Sequence, residues 1–310
     1  MEIYWTERTP AMDFLPGSPI TGGRGEAVEG DAEFLRARVP FFTAEDLAAV
    51  QVTRPLGEGS FGTVSIISRK GQRAIKKVLK CEENVALLLW EARVTAELEG
   101  AGGAPRLLAV CTQPPAILLD FAGRTYNDFV QCHCTVGVFL DSLMSIAERL
   151  CEIHSRGFLH NDIKGSNIMV RGPNPRPTFH IIDFGLATRI GEPFNFNFFG
   201  MHCPSLRRSS SFRSPETVEG LPLGPASDVF SVGVMMSDMM DYVKCSLLSR
   251  LLAPLLARCV QENPEERPSL TELTEELLLT KARVPDKYQR KRIENIRTQS
   301  GNPKKGKQRR

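Results

Sequence analysis

The sequence predicts an α+β fold in two lobes: a small, β-rich N-terminal lobe with one main helix, then a larger, mostly helical C-terminal lobe. Three observations predict it. Strand-like runs dominate from about Val50 to Leu119, broken by a single helical period over residues 83–99. Beyond residue 123 the apolar positions recur at helical spacing. The chain of 310 residues, 42% hydrophobic and 24% charged, has ample apolar material for such a core.

Residues 1–49 read as a flexible N-terminal extension. Pro16-Gly17-Ser18-Pro19 and Thr21-Gly22-Gly23-Arg24-Gly25 interrupt it, and no apolar period survives across residues 1–40. Thr43-Ala44-Glu45-Asp46 is expected to cap a short helix running to about Val50. The domain itself is expected to span residues 50–282, with an N-lobe over 50–122 and a C-lobe over 123–282, followed by a basic tail over 283–310. In the N-lobe, Val64-Ser65-Ile66-Ile67 and Ala74-Ile75-Lys76-Lys77-Val78 are β-like, with Arg69-Lys70-Gly71-Gln72 as the turn. Ala86, Leu87, Trp90, Val94 and Leu98 mark the helix. Leu107–Val110 and Ala116–Leu119 return to strand. In the C-lobe, residues 136–155, 225–242, 246–261 and 269–280 are expected helices. Short strands are expected at Phe158-Leu159-His160, Ile168-Met169-Val170 and Phe179–Ile182.

Four stretches carry chemistry. Gly57-Glu58-Gly59-Ser60-Phe61-Gly62-Thr63-Val64 places three glycines where backbone N–H groups can approach phosphate oxygens. The residues that follow favour a strand, which excludes a dinucleotide-binding turn, where a helix comes next. Twelve residues after Val64 stands Lys76, in Ala74-Ile75-Lys76, expected to hold the α- and β-phosphates. An acid must fix that cation; Glu91 on the following helix is the expected partner, with Glu97 as the alternative. His160-Asn161-Asp162-Ile163-Lys164-Gly165-Ser166-Asn167 precedes a short strand, and Asp183-Phe184-Gly185 follows the apolar run Ile181-Ile182. Asn167 and Asp183 are the oxygen donors expected to hold Mg2+, and Asp162 is expected to accept the proton of an attacking hydroxyl.

In this order and at these intervals the motifs resemble the eukaryotic-type protein kinase superfamily over roughly residues 50–282. The glycine loop, the Ala-Ile-Lys and the Asp-Phe-Gly match the family's signatures, and Ser214-Pro215-Glu216 resembles its Ala-Pro-Glu. The resemblance implies the two-lobed kinase fold and transfer of the ATP γ-phosphate, with Mg2+, to hydroxyls of protein substrates. It implies that Leu119 is a gatekeeper, that backbone groups of Asp120 and Ala122 meet the adenine edge, and that Ala74 and Met169 line the same site. It further implies that Asp228 braces the catalytic loop and that Arg267 pairs with Glu216. Lys164, two residues after Asp162, matches the serine/threonine members, where it steadies the γ-phosphate. Ser209 stands where those members hold a threonine. A catalytically weak pseudokinase or scaffold is the alternative, although pseudokinases usually lack one of the lysine and the two aspartates. A small-molecule phosphotransferase is disfavoured by Glu216 and Arg267.

Two departures stand out. Asn161 replaces the family's usual arginine before the catalytic aspartate, which implies activity that depends less on activation-loop phosphorylation. The interval from Asp228 to Arg267 is short, which implies a compact member.

The formal net charge is +3, but residues 281–310 carry 12 Lys/Arg against two Asp/Glu, so the rest of the chain is net acidic. Clusters such as Lys304-Lys305-Gly306-Lys307 suit a nucleic acid or an import receptor, or simply form a solvated tail. The start resembles no secretory signal, no run is long and apolar enough for a membrane helix, and an intracellular location, cytoplasmic or nuclear, is expected. Cys132-His133-Cys134 lacks the second ligand pair of a zinc site.

Overall fold

The computed structural model describes residues 24–58, 62–81, 84–173, 176–199 and 212–290. The N-lobe is a five-stranded antiparallel sheet in the order β1-β2-β3-β5-β4. Its strands are β1 (Val52–Glu58), β2 (Gly62–Arg69), β3 (Gln72–Leu79), β4 (Leu107–Thr112) and β5 (Pro115–Asp120). β2 and β3 are joined by Lys70 and Gly71 at φ +50° and +77°. This pair of left-handed residues gives a turn whose twist suits adjacent antiparallel strands. A Cβ at Gly62 would run into the carbonyl of Val78, so this glycine is required by the close approach of β2 to β3.

The two sheet faces bury different sets. One face carries Ala74, Ala116 and Leu118 into a cluster with Ile67 and Leu47. The other carries Leu79, Ile117 and Leu119 against Leu88, Leu89 and Ala92 of α3 (Val85–Leu98). β-Strand alternation decides which residues meet this helix, and it proves decisive for the site.

The C-lobe is helical, as expected. β6 (Arg124–Thr125) leads into α4 (Tyr126–His133), and Thr135 caps α5 (Val136–Ser155) by accepting the Val138 N–H at 3.3 Å. α5 buries Phe139, Leu143, Ile146, Leu150 and Ile153 along one face. After the strands β7 (Phe158–Leu159), β8 (Ile168–Arg171), β9 (Thr178–Ile181) and β10 (Thr188–Arg189) come α6 (Pro215–Glu219), α7 (Pro225–Val243), α8 (Ser246–Cys259), α9 (Leu270–Arg283) and α10 (Asp286–Gln289). Only Lys244 and Cys245 separate α7 from α8, consistent with the compact interval read from the sequence. Among the described residues no helix is long and apolar enough to cross a membrane.

Two boundaries are corrected. Within the supposed flexible extension, residues Arg24–Arg36 form a helix, α1, whose Leu35 is fully buried and whose Ala32 packs with it on α3. The stripe Val28, Ala32, Leu35 has a helical period, but Gly25, Gly30 and a small alanine dilute it. The short helix after Thr43 does form, as α2 (Ala44–Ala48), with a reciprocal capping box between Thr43 and Asp46. At the other end the packed domain runs beyond residue 282. Val284 is 2% exposed, and Gln289 Nε2 donates to the carbonyls of Lys281 and Val284. The remainder of the basic tail, residues 291–310, lies outside the described residues.

Candidate active site

The glycine stretch forms the end of the β1–β2 hairpin, with Gly57 opposite Val64 and Glu58 opposite Thr63. Gly59, Ser60 and Phe61 lie outside the described residues. Directly across the sheet stands the main correction. The lysine that meets Glu91 is Lys77, not Lys76. Lys77 Nζ lies 2.9 and 2.8 Å from the two Glu91 oxygens and 2.9 Å from Asp183 Oδ1. The register explains it. Lys77 pairs with Ile117 and shares a face with Leu79 and Leu119, the face that α3 covers. Lys76 pairs with Leu118 and shares the opposite face with Ala74 and Val78, so neither Lys76 nor Ala74 faces Glu91. Ile75, partner of Leu119, takes the place on the site's face that Ala74 was expected to fill.

This triangle is electrostatically tight. Burial disfavours charge on Lys77, but Asp183 and Glu91 outweigh it and raise its pKa above the usual lysine range. Burial also raises the Glu91 carboxyl, which Lys77 only partly offsets. For Asp183 the order reverses: burial works against ionisation, but the Lys77 charge and hydrogen bond win and hold the carboxyl at about 2. Asp183 sits at φ +67°, a left-handed conformation that costs a non-glycine residue energy and recurs at functional sites.

The stretch His160–Asn167 is held by Asp228, which is fully buried. Its Oδ2 accepts the His160 N–H at 2.9 Å and the His154 ring at 2.9 Å, and its Oδ1 accepts the Asn161 N–H at 2.9 Å. Burial would raise this carboxyl, but the His154 hydrogen bond and the His160 backbone donor help bring it below its ordinary value. His160 joins the loop to the strand before Asp183. Its Nε2 donates to the Ile182 carbonyl at 2.9 Å, which leaves Nδ1 to accept the Asp162 N–H at 3.2 Å. Ile182 N–H in turn donates to the Asn167 carbonyl at 2.9 Å.

Asn167 Nδ2 donates to the Asp162 carbonyl at 2.9 Å and to Asp162 Oδ2 at 2.8 Å, and Lys164 Nζ lies 3.0 Å from that same oxygen. Asn167 spends its amide donors on Asp162, so its Oδ1 is the atom it can turn to a cation. That amide oxygen and the Asp183 carboxylate are hard oxygens of the kind that Mg2+ prefers. Met169 is buried on β8 but is absent from the C-lobe core that takes its neighbours Ile168 and Val170, so it lies on the strand's other side. Asp120 and Ala122 lie at the connection between the lobes, with the Asp120 N–H already given to the Arg106 carbonyl.

Below the loop, Arg267 makes two parallel bonds to Glu216, 2.6 and 2.8 Å, with the arginine side chain fully buried. Ser209, Ser210 and Ser211 lie outside the described residues. Asn161, read only as a missing arginine, has a role of its own: its Nδ2 donates to the Leu186 carbonyl at 3.0 Å and to Thr188 Oγ1 at 2.9 Å. Nothing in the sequence signals those partners. Asn161 adopts φ +62°, a conformation asparagine tolerates better than most residues.

Two lobes meeting through a lysine, a glutamate and an aspartate drawn from β3, α3 and the stretch after β9 point to one class of protein. Residues 50–246 match the family model for the protein kinase domain, and the chain belongs to the eukaryotic-type protein kinase superfamily. Relatives agree. A probable CTD kinase subunit alpha homolog of Encephalitozoon cuniculi is 29% identical over 205 residues, covering 64% of this chain and 59% of that protein. The probable serine/threonine-protein kinase PkwA of Thermomonospora curvata is 30% identical over 152 residues, covering 43% and 19%. Calcium-dependent protein kinase 14 of Oryza sativa is 26% identical over 207 residues, covering 62% and 38%. The chain thus spans less than two thirds of the length of each of these relatives, from 19% to 59%.

Proposed function

We propose that the chain is a catalytically active serine/threonine protein kinase that uses ATP with Mg2+. The observation that carries this reading is Lys77 held between Glu91 and Asp183, with Asp162 tied to the same site through Asn167. Lys77, fixed by Glu91, binds the α- and β-phosphates of ATP. A Mg2+ ion held by Asn167 and Asp183 would supply charge neutralisation at the phosphates. Asp162 accepts the proton as the substrate hydroxyl oxygen bonds to the γ-phosphorus. The bond from that phosphorus to the bridging oxygen breaks, and ADP leaves with the electron pair. Lys164, 3.0 Å from Asp162, offsets charge on the transferred group. Positioning and electrostatics account for most of the acceleration in such a mechanism.

The serine/threonine assignment is supported by Lys164 and by the name of the Thermomonospora relative. A protein substrate is supported by a cavity of about 320 Å³ beside Lys164, lined also by Asn127, Phe212, Met239 and Tyr242, which is room for a substrate side chain. The test is transfer of labelled γ-phosphate to a generic basic protein by wild type and by Asp162→Ala, followed by phosphoamino-acid analysis. Label on serine or threonine from wild type alone is expected. Equal labelling by both proteins overturns the catalytic assignment, and label on tyrosine overturns the specificity.

A further inference from the structure

The helix that the sequence concealed, α1, lies along α3. Ala32 and Leu35 of α1 share one buried cluster with Leu88, Leu89 and Ala92 of α3. Above that contact runs a chain of charges. Asp31 Oδ1 accepts Arg93 Nη1 at 2.6 Å, and Arg93 Nε donates to Glu97 Oε1 at 2.7 Å. Glu97 also accepts Arg189 Nη2, 3.1 Å to Oε2. The Phe34 ring lies 4.8 Å from the Arg93 guanidinium, and Arg38 stacks over the same ring at 3.7 Å. Arg189 belongs to β10, six residues past Asp183, and lies 4.7 Å from the Phe158 ring.

Two guanidiniums and two carboxylates therefore balance across three elements, α1, α3 and β10. The Asp31 side chain is 13% exposed and that of Arg93 28%, so the pair is more sheltered than an ordinary surface bridge. Without Asp31, Arg93 and Arg189 must share the single carboxylate of Glu97. Arg93 stands two residues beyond Glu91 on the same helix. The chain just after α1 is tied to β4, with Val110 N–H donating to the Pro40 carbonyl at 3.1 Å and Phe42 N–H to the Val110 carbonyl at 2.7 Å, so α3 moving off the sheet would pull on Asp31–Arg93 as well as on Lys77–Glu91.

We propose that α1, through Asp31 and Arg93, is a built-in brace that holds α3 in place so that Glu91 reaches Lys77. Asp31 and Arg93 are thus positioning residues for the phosphate-binding lysine. The Glu97–Arg189 pair extends the same support to the stretch following Asp183. This inference rests on the reading of Lys77 and Glu91 as the phosphate-binding pair, so its test carries a readout that needs no activity.

Trp90, on α3, supplies that readout. Its indole Nε1 donates to the Ala187 carbonyl at 2.8 Å, so its emission reports how α3 sits against the segment after Asp183. The only other tryptophan is Trp5. In the full chain carrying Trp5→Phe, Asp31→Asn is expected to red-shift the Trp90 emission and lower kcat about tenfold, with the KM for substrate protein within about twofold. Asp31→Glu is expected to restore both. In a Glu91→Gln background, Asp31→Asn should cost no more than about a further twofold, because the contact it supports is already lost. An Asp31→Asn protein with wild-type emission and rate overturns the brace, as does failure of Asp31→Glu to rescue. If even wild type transfers no phosphate, the proposed function fails, and the emission shift and its rescue alone decide whether the brace stands.

Discussion

Replacing Lys77 by methionine tests the register on which the site depends. The substitution keeps most of the side chain's volume and removes the cation that makes three contacts of 2.8–2.9 Å. Two costs follow. In catalysis, losing the preorganised charge proposed to face the ATP phosphates is expected to lower kcat/KM about 10²–10³-fold. In stability, Glu91 is left 4% exposed without its partner. Removing one member of a buried pair typically costs about 3–5 kcal/mol. Burial already raises the Glu91 pKa, so the orphaned carboxyl can take up a proton and limit the loss to about 2–3 kcal/mol. For a domain of this size that lowers Tm by about 5–10 °C. The pH dependence has a definite sign. With its pKa raised above the ordinary 4.5, Glu91 in the variant favours the folded state at acid pH and loses that contribution as pH rises through the raised value. The Tm gap to wild type should therefore narrow as the buffer moves from about pH 7.5 to about pH 5. Lys76→Met, on the opposite face, is the control and should stay within about 0.5 kcal/mol and about twofold in rate. Phosphate-transfer kinetics and thermal melting of the two variants decide. If Lys76→Met loses as much activity as Lys77→Met, the strand register and the site built on it are wrong.

Two further outcomes are expected. Arg267→Ala strands the buried Glu216 and should cost about 3–5 kcal/mol in thermal melting, while Arg267→Lys should recover less than half, because an ammonium cannot supply two parallel bonds. Burial alone would raise Glu216, but bonds from Arg267 and Ser227 hold it below its ordinary 4.5. Its contribution to stability is thus present above that value and lost as pH falls through the depressed one, and melting of Arg267→Ala should lack this acid-side decline. In the activation segment, Ser210→Ala and Ser211→Ala should each retain phosphate transfer within about twofold, since Asn161 presents no charge that requires a phosphate; an inactive enzyme from either change would refute this.

Much of the site was legible because its residues are polar groups at fixed intervals along the chain. Asn167 meets Asp162, Glu91 and Asp183 meet on one lysine, and α5 forms over the predicted residues 136–155. The misassigned lysine shows where such reading fails. Two adjacent lysines in a strand point to opposite faces, and the motif alone does not say which face α3 will cover. A signal was present: Ile75 and Leu79 bracket Lys77 with large aliphatic groups, whereas Lys76 is flanked on its own face by Ala74 and Val78. Helix α1 escaped for a different reason. Its stability comes from packing on α3 rather than from its own propensity, and a short stripe with two glycines carries little local information.

The contacts around residues 182–190 explain why a single helix has so much influence. This stretch is tied to the catalytic loop by His160 at Ile182 and by Asn161 at Leu186 and Thr188, and to β7 by the β10 ladder. It is tied to α3 by Trp90 at Ala187 and by Glu97 at Arg189. An arginine in place of Asn161 would bring a buried positive charge that needs an anion from elsewhere. The amide instead closes on a carbonyl and a hydroxyl of the stretch it holds, with donors alone. The anionic partner that remains necessary, for Arg189, comes from α3, and α3 is in turn held by α1. Order in the stretch after Asp183 is thus linked, through residues of this one chain, to the position of Glu91, so the Lys77–Glu91 pair and the docking of residues 182–190 should be gained or lost together.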